Sequence, residues 1–293
     1  MLAVSEEVSV ALAGGAPVVA LETTIVAHGF PPGEGVAVGL ECERRVREAG
    51  AVPATIAVLD GSVRVGLSEE ELARVGPDAR KVGPRDLGLC LLEGAIGATT
   101  VGGTLAACGP TGIRVLATGG LGGVHRGWTE RPDVSSDLWS LAHIPVLVVC
   151  SGIKSLLDVP ATMEALETLG VPVLGWQADE LPLFYTALGG PPVQRLETAE
   201  DAARLASLHW AISGSAVVLA RPPLDGIDDV EPLIQEALAA ATANGVSGQA
   251  VTPFVLAHLH EYSDGRTLDV NRRLAADNAR LAAQVAVAFS STG

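Results

Sequence analysis

The two lysines are the most informative reactive residues of this 293-residue chain. Nineteen residues are basic, yet only Lys81 and Lys154 are lysine and the other seventeen are arginine. Arginine replaces lysine readily on a protein surface, but a guanidinium cannot lose its proton and attack carbon as an amine does. The composition therefore predicts that these lysines have been kept for chemistry, and their retention by chance is the alternative.

Lys154 follows the apolar run Val146–Cys150 and precedes a predicted helix. A lysine at the exit of a buried strand, ahead of a helix N-terminus, is in surroundings that disfavour the charged ammonium. Such an amine can form a Schiff base with a carbonyl carbon. Lys81 has no clear strand before it, so a substrate contact and a surface position both stay open for it.

Glu22 comes directly after another apolar run, Pro17–Leu21. A carboxyl at the edge of a buried sheet is partly desolvated, which favours its protonated form and makes it a usable general acid. A structural carboxylate that caps a turn is the alternative, and the segment alone favours neither.

A glycine-rich segment, residues 118–127, follows the apolar run Ile113–Ala117. Its backbone N–H groups could bind an anion, and His125 and Arg126 add positive charge beside them. The spacing matches neither the dinucleotide fingerprint nor the P-loop, so the segment predicts a phosphosugar or phosphate site. A flexible loop without a ligand is the alternative.

Asp133 and Asp137 flank two serines in the sequence Asp-Val-Ser-Ser-Asp. Hard oxygen ligands of this kind suit Mg²⁺ or Mn²⁺. The same residues would also serve as a helix N-cap, which is the commoner explanation of such a run.

Alternating strand and helix patterns predict how these residues are positioned. Continuous apolar runs indicate strands buried on both faces of a parallel sheet, and ligands collect at the carboxyl ends of such strands. We predict one α/β/α layered domain over residues 1–293, with a largely parallel central sheet. The predicted strands are Pro17–Leu21, Ala54–Leu59, Ile113–Ala117, Val146–Cys150, Val171–Leu174 and Ala216–Ala220. The predicted helices are Val36–Ala49, Asp86–Glu93, Ser135–Ala142, Val159–Leu169, Ala199–Ala211, Glu231–Ala243 and Thr267–Ala288.

Charge and composition exclude several classes of protein. The net charge of −15 argues against binding of a nucleic-acid backbone. No apolar stretch reaches the roughly 18–20 residues of a membrane span, and the N-terminus has no basic region typical of a signal peptide. A cytoplasmic protein is expected, and its four cysteines, which form no Cys-x-x-Cys pair, are expected to be reduced and buried.

Eight ordered segments resemble the signature blocks of pseudouridine-5'-phosphate glycosidases and the related indigoidine synthase A-like proteins. The blocks cover nearly the whole chain, which makes them far more specific than any single motif. They are LETTIVAHG (21–29), VPATIAVLDG (52–61), RKVGPRDL (80–87), GATTVGGT (97–104), ATGGLGGVHRG (117–127), DVSSDL (133–138), CSGIKSLLD (150–158) and VTPF (251–254).

The resemblance implies a homotrimeric lyase that acts on the C–C bond between C1' of ribose 5-phosphate and uracil. It implies that Glu22 protonates the ring oxygen, that Lys154 forms an imine with C1', and that Asp133 binds a divalent metal, usually Mn²⁺. It implies substrate contacts for the remaining matched positions, Lys81, Val101, Ser135, Ser136, Asp137 and Asn271. We also predict a substrate contact for His125, because it adds positive charge beside the glycine-rich segment.

The last third of the chain departs from the family pattern. Arg221-Pro222-Pro223-Leu224 stands where the family usually has asparagine and a Pro-x-Pro turn, Gln249 replaces a lysine, and Asp277 replaces the first of two asparagines. We expect the segments Trp176–Tyr185, Arg221–Leu224 and Gln249–Thr252 to form the wall around the base, so that the aglycone could differ from uracil. A C-ribosylating enzyme for a larger aromatic aglycone is the main alternative function, and a non-catalytic phosphosugar-binding protein is the third.

Overall fold

A sheet with a parallel centre and an antiparallel extension organises the chain. The computed structural model describes residues 1–130, 132–227 and 229–291. Seven strands run parallel in the order β3-β2-β7-β8-β11-β9-β10. At the β3 edge, β4 and β6 pair antiparallel with β3, β1 pairs parallel with β4, and β5 pairs parallel with β6.

The strands are short, and helices separate most of them. The strands are β1 Leu2–Val4, β2 Val18–Leu21, β3 Val52–Leu59, β4 Ser62–Val65, β5 Arg80–Val82, β6 Gly97–Thr99, β7 Val115–Ala117, β8 Leu147–Cys150, β9 Val173–Trp176, β10 Gln194–Leu196 and β11 Val217–Ala220. The α-helices are α1 Glu6–Ala13, α2 Thr24–His28, α3 Gly35–Glu48, α4 Glu69–Ala73, α5 Leu87–Glu93, α6 Val101–Thr111, α7 Asp137–His143, α8 Val159–Thr168, α9 Ala199–Trp210, α10 Glu231–Ala243, α11 Val251–Tyr262 and α12 Arg266–Ser291.

Alternate residues of the central strands pack into two separate hydrophobic clusters. In β2, Val19 and Leu21 belong to the cluster formed with α3, α9 and α12, whereas Val18 and Ala20 belong to the cluster formed with α1, α6 and α7. Side chains alternate between the two faces of a strand, so both faces of the sheet are covered by helices. The predicted α/β/α architecture with a largely parallel sheet is confirmed.

Most predicted elements are present with their ends moved by one to three residues. Asp158 caps α8, since its carboxylate accepts a hydrogen bond from the Ala161 N–H at 3.0 Å. The four cysteines are free and buried, as predicted. Among the described residues, every helix is too short or too polar to cross a bilayer.

Candidate active site

A cavity of about 330 Å³ opens at the carboxyl ends of the parallel strands. Ligand sites of α/β sheets collect at this edge, because the loops that leave neighbouring strands diverge there. Ten of the residues that the sequence analysis assigned to a site line this one cavity. They are Glu22, Lys81, Val101, His125, Asp133, Ser135, Ser136, Asp137, Lys154 and Asn271.

Glu22 lies at the exit of β2 and is only 7% exposed. The backbone N–H of Ile25 donates to Oε2 at 2.9 Å, and the Thr24 hydroxyl shares the same oxygen at 2.5 Å. Oε1 accepts from the Thr118 hydroxyl at 3.2 Å. The Glu22 carboxyl therefore holds the first turn of α2, as the structural alternative predicted, and it also lines the cavity, where its role as a general acid stays a prediction.

Lys81 lies on β5, a strand that the sequence analysis missed. β5 pairs with β6, and the Lys81 side chain lines the cavity. The alternative that Lys81 lies on the surface is therefore wrong. Burial lowers the pKa of Lys81, and the positive charge of Lys154 lowers it further. The two amines therefore act on each other across one cavity.

Lys154 follows β8, as expected, but it does not sit at a helix N-terminus. Its backbone N–H donates to the Leu121 carbonyl at 3.2 Å, and its own carbonyl accepts from Leu157 at 2.9 Å. This turn separates Lys154 from α8, which begins at Val159. Because the field of a helix end is felt mainly within the first turn, the expected effect of a helix N-terminus on this amine is not supported by the structure.

The glycine-rich segment is bound by the protein itself at several of its N–H groups. The Asp137 carboxylate accepts from Gly122 N at 3.0 Å and from Gly102 N at 2.8 Å, and the Thr162 hydroxyl accepts from Val124 N at 3.0 Å. These N–H groups are not available to an anion. Fewer backbone N–H groups of this segment are therefore available to an anion than its number of glycines predicted.

Arg126 does not add its charge to the cavity as predicted. Its guanidinium donates to the carbonyls of Ser155 at 2.6 Å and Leu157 at 3.2 Å, and it pairs with Glu231 on α10 at 2.6 Å. The arrangement lowers the pKa of Glu231, since the arginine stabilises the ionised carboxylate. Arg126 thus fastens the turn after Lys154 to α10.

Asp133 lies beside His125, with 3.9 Å between Oδ2 and Nδ1. Burial lowers the pKa of His125, the Asp133 carboxylate opposes that shift, and the two lysine charges add to it. Asp133 is not the N-cap of α7, because that helix begins at Asp137 and its N-cap is Ser136. The N-cap alternative for Asp133 is therefore wrong.

The donors around Asp133 fit only one kind of metal site. Within the described ranges no group of three His, Cys, Asp or Glu side chains could enclose an ion. Mg²⁺ and Mn²⁺ are often held by one or two carboxylates, with waters and substrate phosphate completing the coordination. Asp133 therefore fits a largely hydrated cation that is shared with a phosphorylated ligand.

Asn271, on α12, has a buried amide whose orientation is set by the backbone. Its Nδ2 donates to the Gly29 carbonyl at 3.2 Å, and its Oδ1 has no partner among the described residues. The side chain is 2% exposed and lines the cavity. An unpaired buried acceptor is costly, so this position suits a ligand that brings a donor.

The sequence matches the family described as indigoidine synthase A like protein over residues 7–288. The chain belongs to this family. The pseudouridine-5'-phosphate glycosidase of Streptomyces griseus is 47% identical, over 97% of this chain and 91% of its own length. The protein of the same name from Chloroflexus aurantiacus is 46% identical over 100% of both chains.

Two solved structures are similar to this member of the indigoidine synthase A-like family over almost their full lengths. The prealnumycin C-glycosynthase, solved in complex with ribulose 5-phosphate, has a TM-score of 0.90 and 38% identity, and the match covers 100% of this chain and 98% of that one. An indigoidine synthase A-like protein from Thermotoga maritima has a TM-score of 0.90 and 36% identity, with 99% and 97% covered.

The departures from the family pattern lie mostly away from the cavity. Of the three segments expected to form the wall around the base, the described lining includes only Phe184 and Thr252. Arg221 instead turns to α12 and pairs with Asp277 at 3.1 Å, with both side chains largely buried. The side chain of Gln249 lies outside those described. The expectation of a rebuilt aglycone wall is therefore wrong for the segment Arg221–Leu224.

His28 is a cavity residue to which the sequence analysis gave no role. It ends α2, six residues after Glu22, and its Nε2 is buried without a partner among the described residues. Burial lowers the pKa of His28, and the charge of Lys81 lowers it further. Its place in the block LETTIVAHG was the available signal, but nothing in the sequence indicates that a short helix returns it to the cavity.

Proposed function

We propose that this protein is a pseudouridine-5'-phosphate glycosidase, which cleaves the C–C bond between C1' of ribose 5-phosphate and C5 of uracil. The observation that carries the proposal is the meeting of Glu22 and Lys154 in one cavity. A general acid and an amine are the two groups that ring opening and imine formation require. The identity of 47% to a glycosidase of this name supports the choice of substrate.

In the proposed reaction, Glu22 protonates the ring oxygen while the Lys154 amine attacks C1', so that the C1'–O4' bond breaks. The C1'–C5 bond then breaks, C5 of uracil takes a proton in place of the sugar carbon, and C1' becomes the carbon of a lysine imine. Water hydrolyses the imine, which releases ribose 5-phosphate and returns the amine. Lys81 lines the same cavity as Lys154, and the presence of two amines there supports a phosphosugar as the ligand.

The test is trapping of the imine. Borohydride reduction in the presence of ribose 5-phosphate should add the reduced sugar phosphate to Lys154, as located by peptide mass mapping. Lys154→Arg should be inactive although it keeps the charge, because a guanidinium forms no imine. Glu22→Gln should bind the sugar phosphate but fail to open the ring. Labelling at Lys81, or no labelling, would contradict the proposal.

A divalent cation, Mn²⁺ in our proposal, would be held by Asp133 and would neutralise charge on the substrate phosphate. The single carboxylate beside His125 supports a cation that keeps most of its waters. Chelator treatment and Asp133→Ala should each lower activity, and added Mn²⁺ should restore only the chelated wild type. Activity unchanged by both treatments would remove the metal from the proposal.

The same chemistry in the joining direction is the second candidate function. The structural similarity to a C-glycosynthase, with a TM-score of 0.90, favours it. Incubation with ribose 5-phosphate, Mn²⁺ and uracil distinguishes the two, because a glycosidase running backwards should form pseudouridine 5'-phosphate. Absence of this product from protein that still forms the Lys154 imine would favour a larger aromatic aglycone.

We further propose that the protein is a cytoplasmic homotrimer. Apolar side chains that are exposed in the single chain, such as Leu92 at 84% and Trp139 at 58%, support association with further copies. Light scattering should give about three times the chain mass of 29.9 kDa. A stable monomer would contradict the trimer without affecting the proposed reaction.

A further inference from the structure

We propose that Asn278 is a positioning residue for the reaction proposed above, because it ties together the loop after β7, whose Thr118 bonds the acid Glu22, and the loop after β8, which carries the nucleophile Lys154. Asn278 is 0% exposed on α12, which crosses the strands β2, β7 and β8. It does not line the cavity, and no role was assigned to it from the sequence. Its effect would reach the reacting groups only through the loops it holds.

The Asn278 amide bonds to the exits of two adjacent strands. Its Nδ2 donates to the Thr118 carbonyl at 2.9 Å, at the end of β7, and it lies 3.1 Å from the Ser151 hydroxyl, at the end of β8. Its Oδ1 lies 3.4 Å from the same hydroxyl. A fully buried amide whose donors and acceptor are all used fixes the groups around it, because breaking any of these bonds leaves a buried polar group unpaired.

The first of these loops leads to the acid. The Thr118 carbonyl accepts a hydrogen bond from the Asn278 amide, and the Thr118 hydroxyl donates one to Oε1 of Glu22. A single residue therefore connects the amide to the proposed proton donor. The backbone of the next residue is also fixed, since the Gly119 carbonyl accepts from Ser151 N at 2.8 Å.

The second loop leads to the nucleophile. Ser151 is three residues before Lys154, and the two loops are joined again where Leu121 N donates to the Gly152 carbonyl and Lys154 N donates to the Leu121 carbonyl. Asn278 thus fastens to α12 the start of two paired loops, of which one bonds Glu22 through Thr118 and the other carries Lys154. Small displacements of reacting groups lower the reaction rate by large factors. Loss of the Asn278 hydrogen bonds should therefore slow the chemical step more than it weakens ligand binding.

The test measures the rate of imine trapping at Lys154 and its dependence on ribose 5-phosphate concentration. Asn278→Ala should lower the trapping rate at saturating ribose 5-phosphate at least tenfold. The half-saturating concentration should change less than threefold, because the residues that touch the ligand are retained. This division between rate and binding would not follow from a general loss of folded protein, which lowers the amplitude of trapping and leaves its rate unchanged.

The adjacent ion pair provides the matched control. The double variant Arg221→Asn with Asp277→Asn changes neighbouring contacts of α12 but leaves the Asn278 amide in place, so its trapping rate should stay within twofold of the wild type. An equal loss in this control would overturn the proposal, since it would indicate that α12 packing in general is responsible. A wild-type rate in Asn278→Ala would overturn it as well.

Ser151→Ala provides a second test that does not depend on the folding of Asn278→Ala. It removes only the hydroxyl that contacts the amide, so a smaller loss of rate, about threefold to tenfold, is expected with the half-saturating concentration again preserved. A wild-type trapping rate in Ser151→Ala would contradict the proposed role of the contact between Asn278 and Ser151. If the wild-type protein itself traps no sugar phosphate at Lys154, the proposed function fails before the role of Asn278 is reached.

Discussion

The two amines of the cavity influence one another, and the composition of the chain makes this measurable. Lys81 and Lys154 are the only lysines of the sequence. Protein labelled with ¹³C-lysine therefore gives two side-chain signals, which single lysine variants assign. Burial lowers the pKa of Lys81 and the charge of Lys154 lowers it further, because a second ammonium nearby disfavours the charged form.

We expect Lys154→Met to raise the pKa of Lys81 toward its ordinary value without fully restoring it, since burial remains. NMR titration of the ¹³Cε signal measures the change. Lys154→Arg is the control, because it keeps the positive charge and should leave the pKa of Lys81 low. An unchanged titration in Lys154→Met would show that the two amines do not interact.

Single reactive residues could be predicted from the sequence where they follow a buried strand. Glu22 and Lys154 were found because Glu22 comes directly after one continuous apolar run and Lys154 comes shortly after another, and the carboxyl ends of parallel strands share one edge. Arg126 was misplaced because its partners, the carbonyls of Ser155 and Leu157 and the carboxylate of Glu231, lie about thirty and one hundred residues away in the sequence. A side chain with several distant partners leaves no local pattern.

At the scale of elements, the turn between β8 and Lys154 depends on Gly152. This residue has φ +83°, and a Cβ there would lie 1.8 Å from the Pro182 carbonyl oxygen. Both the backbone conformation and the close approach therefore require glycine. The segment that carries Phe184 packs against this turn, since Phe184 N donates to the Ser151 carbonyl at 2.9 Å.

We expect Gly152→Ala to move the Lys154 turn and to abolish imine trapping while lowering the midpoint of urea unfolding. Gly127→Ala is the matched control, because Gly127 has φ +78° but no atom within 4 Å of a Cβ. The control should lose only about 1–2 kcal/mol from backbone strain. Equal losses of stability and trapping in the two variants would contradict the importance of the Pro182 contact.

Helix α11 carries a histidine that should make stability depend on pH. Burial lowers the pKa of His260 to about 4, with Glu34 opposing and Arg272 adding to the shift. The unfolded chain has an ordinary histidine pKa of about 6.5, so between these values it binds more protons than the folded protein. The stabilisation is fully present above about pH 6.5 and is lost as the pH falls toward 4.

We expect His260→Gln to lose less stability than the wild type between pH 6.5 and 4, because glutamine does not titrate. Urea unfolding at several pH values gives the slope of the free energy of unfolding against pH for each protein. The difference between the two slopes removes the contribution of the acidic residues that both proteins share. Identical slopes for wild type and His260→Gln would contradict the buried neutral imidazole.

The elements that the sequence predicts are those with strong patterns. The continuous apolar strands of the sheet centre were found, whereas β1, β5, β6 and β10 are three residues each and carry no periodicity. Helix α6 was missed because it contains three glycines and Pro110. It forms nevertheless, since Thr100 caps its N-terminus and its Val101, Leu105 and Cys108 side chains are buried against the sheet.

At the scale of the whole molecule, residues 1–293 are predicted to unfold as one domain. The four tryptophans lie at or beyond Trp128, whereas Cys42 and Cys90 are buried in the first third of the chain. Tryptophan fluorescence and thiol reactivity thus report on different parts of one sheet. We expect both signals to change at the same urea concentration, and two separated transitions would indicate two domains.

The Arg221–Asp277 ion pair has a consequence for how this sequence could have arisen. If an ancestor carried the amides usual in the family at both positions, substitution of one alone would place a single, largely buried charge without a counter-charge, which is more costly than either the neutral or the charged pair. In that case the two substitutions would be epistatic, since each charge is better tolerated when the other is present, and descendants that keep one charge should keep both.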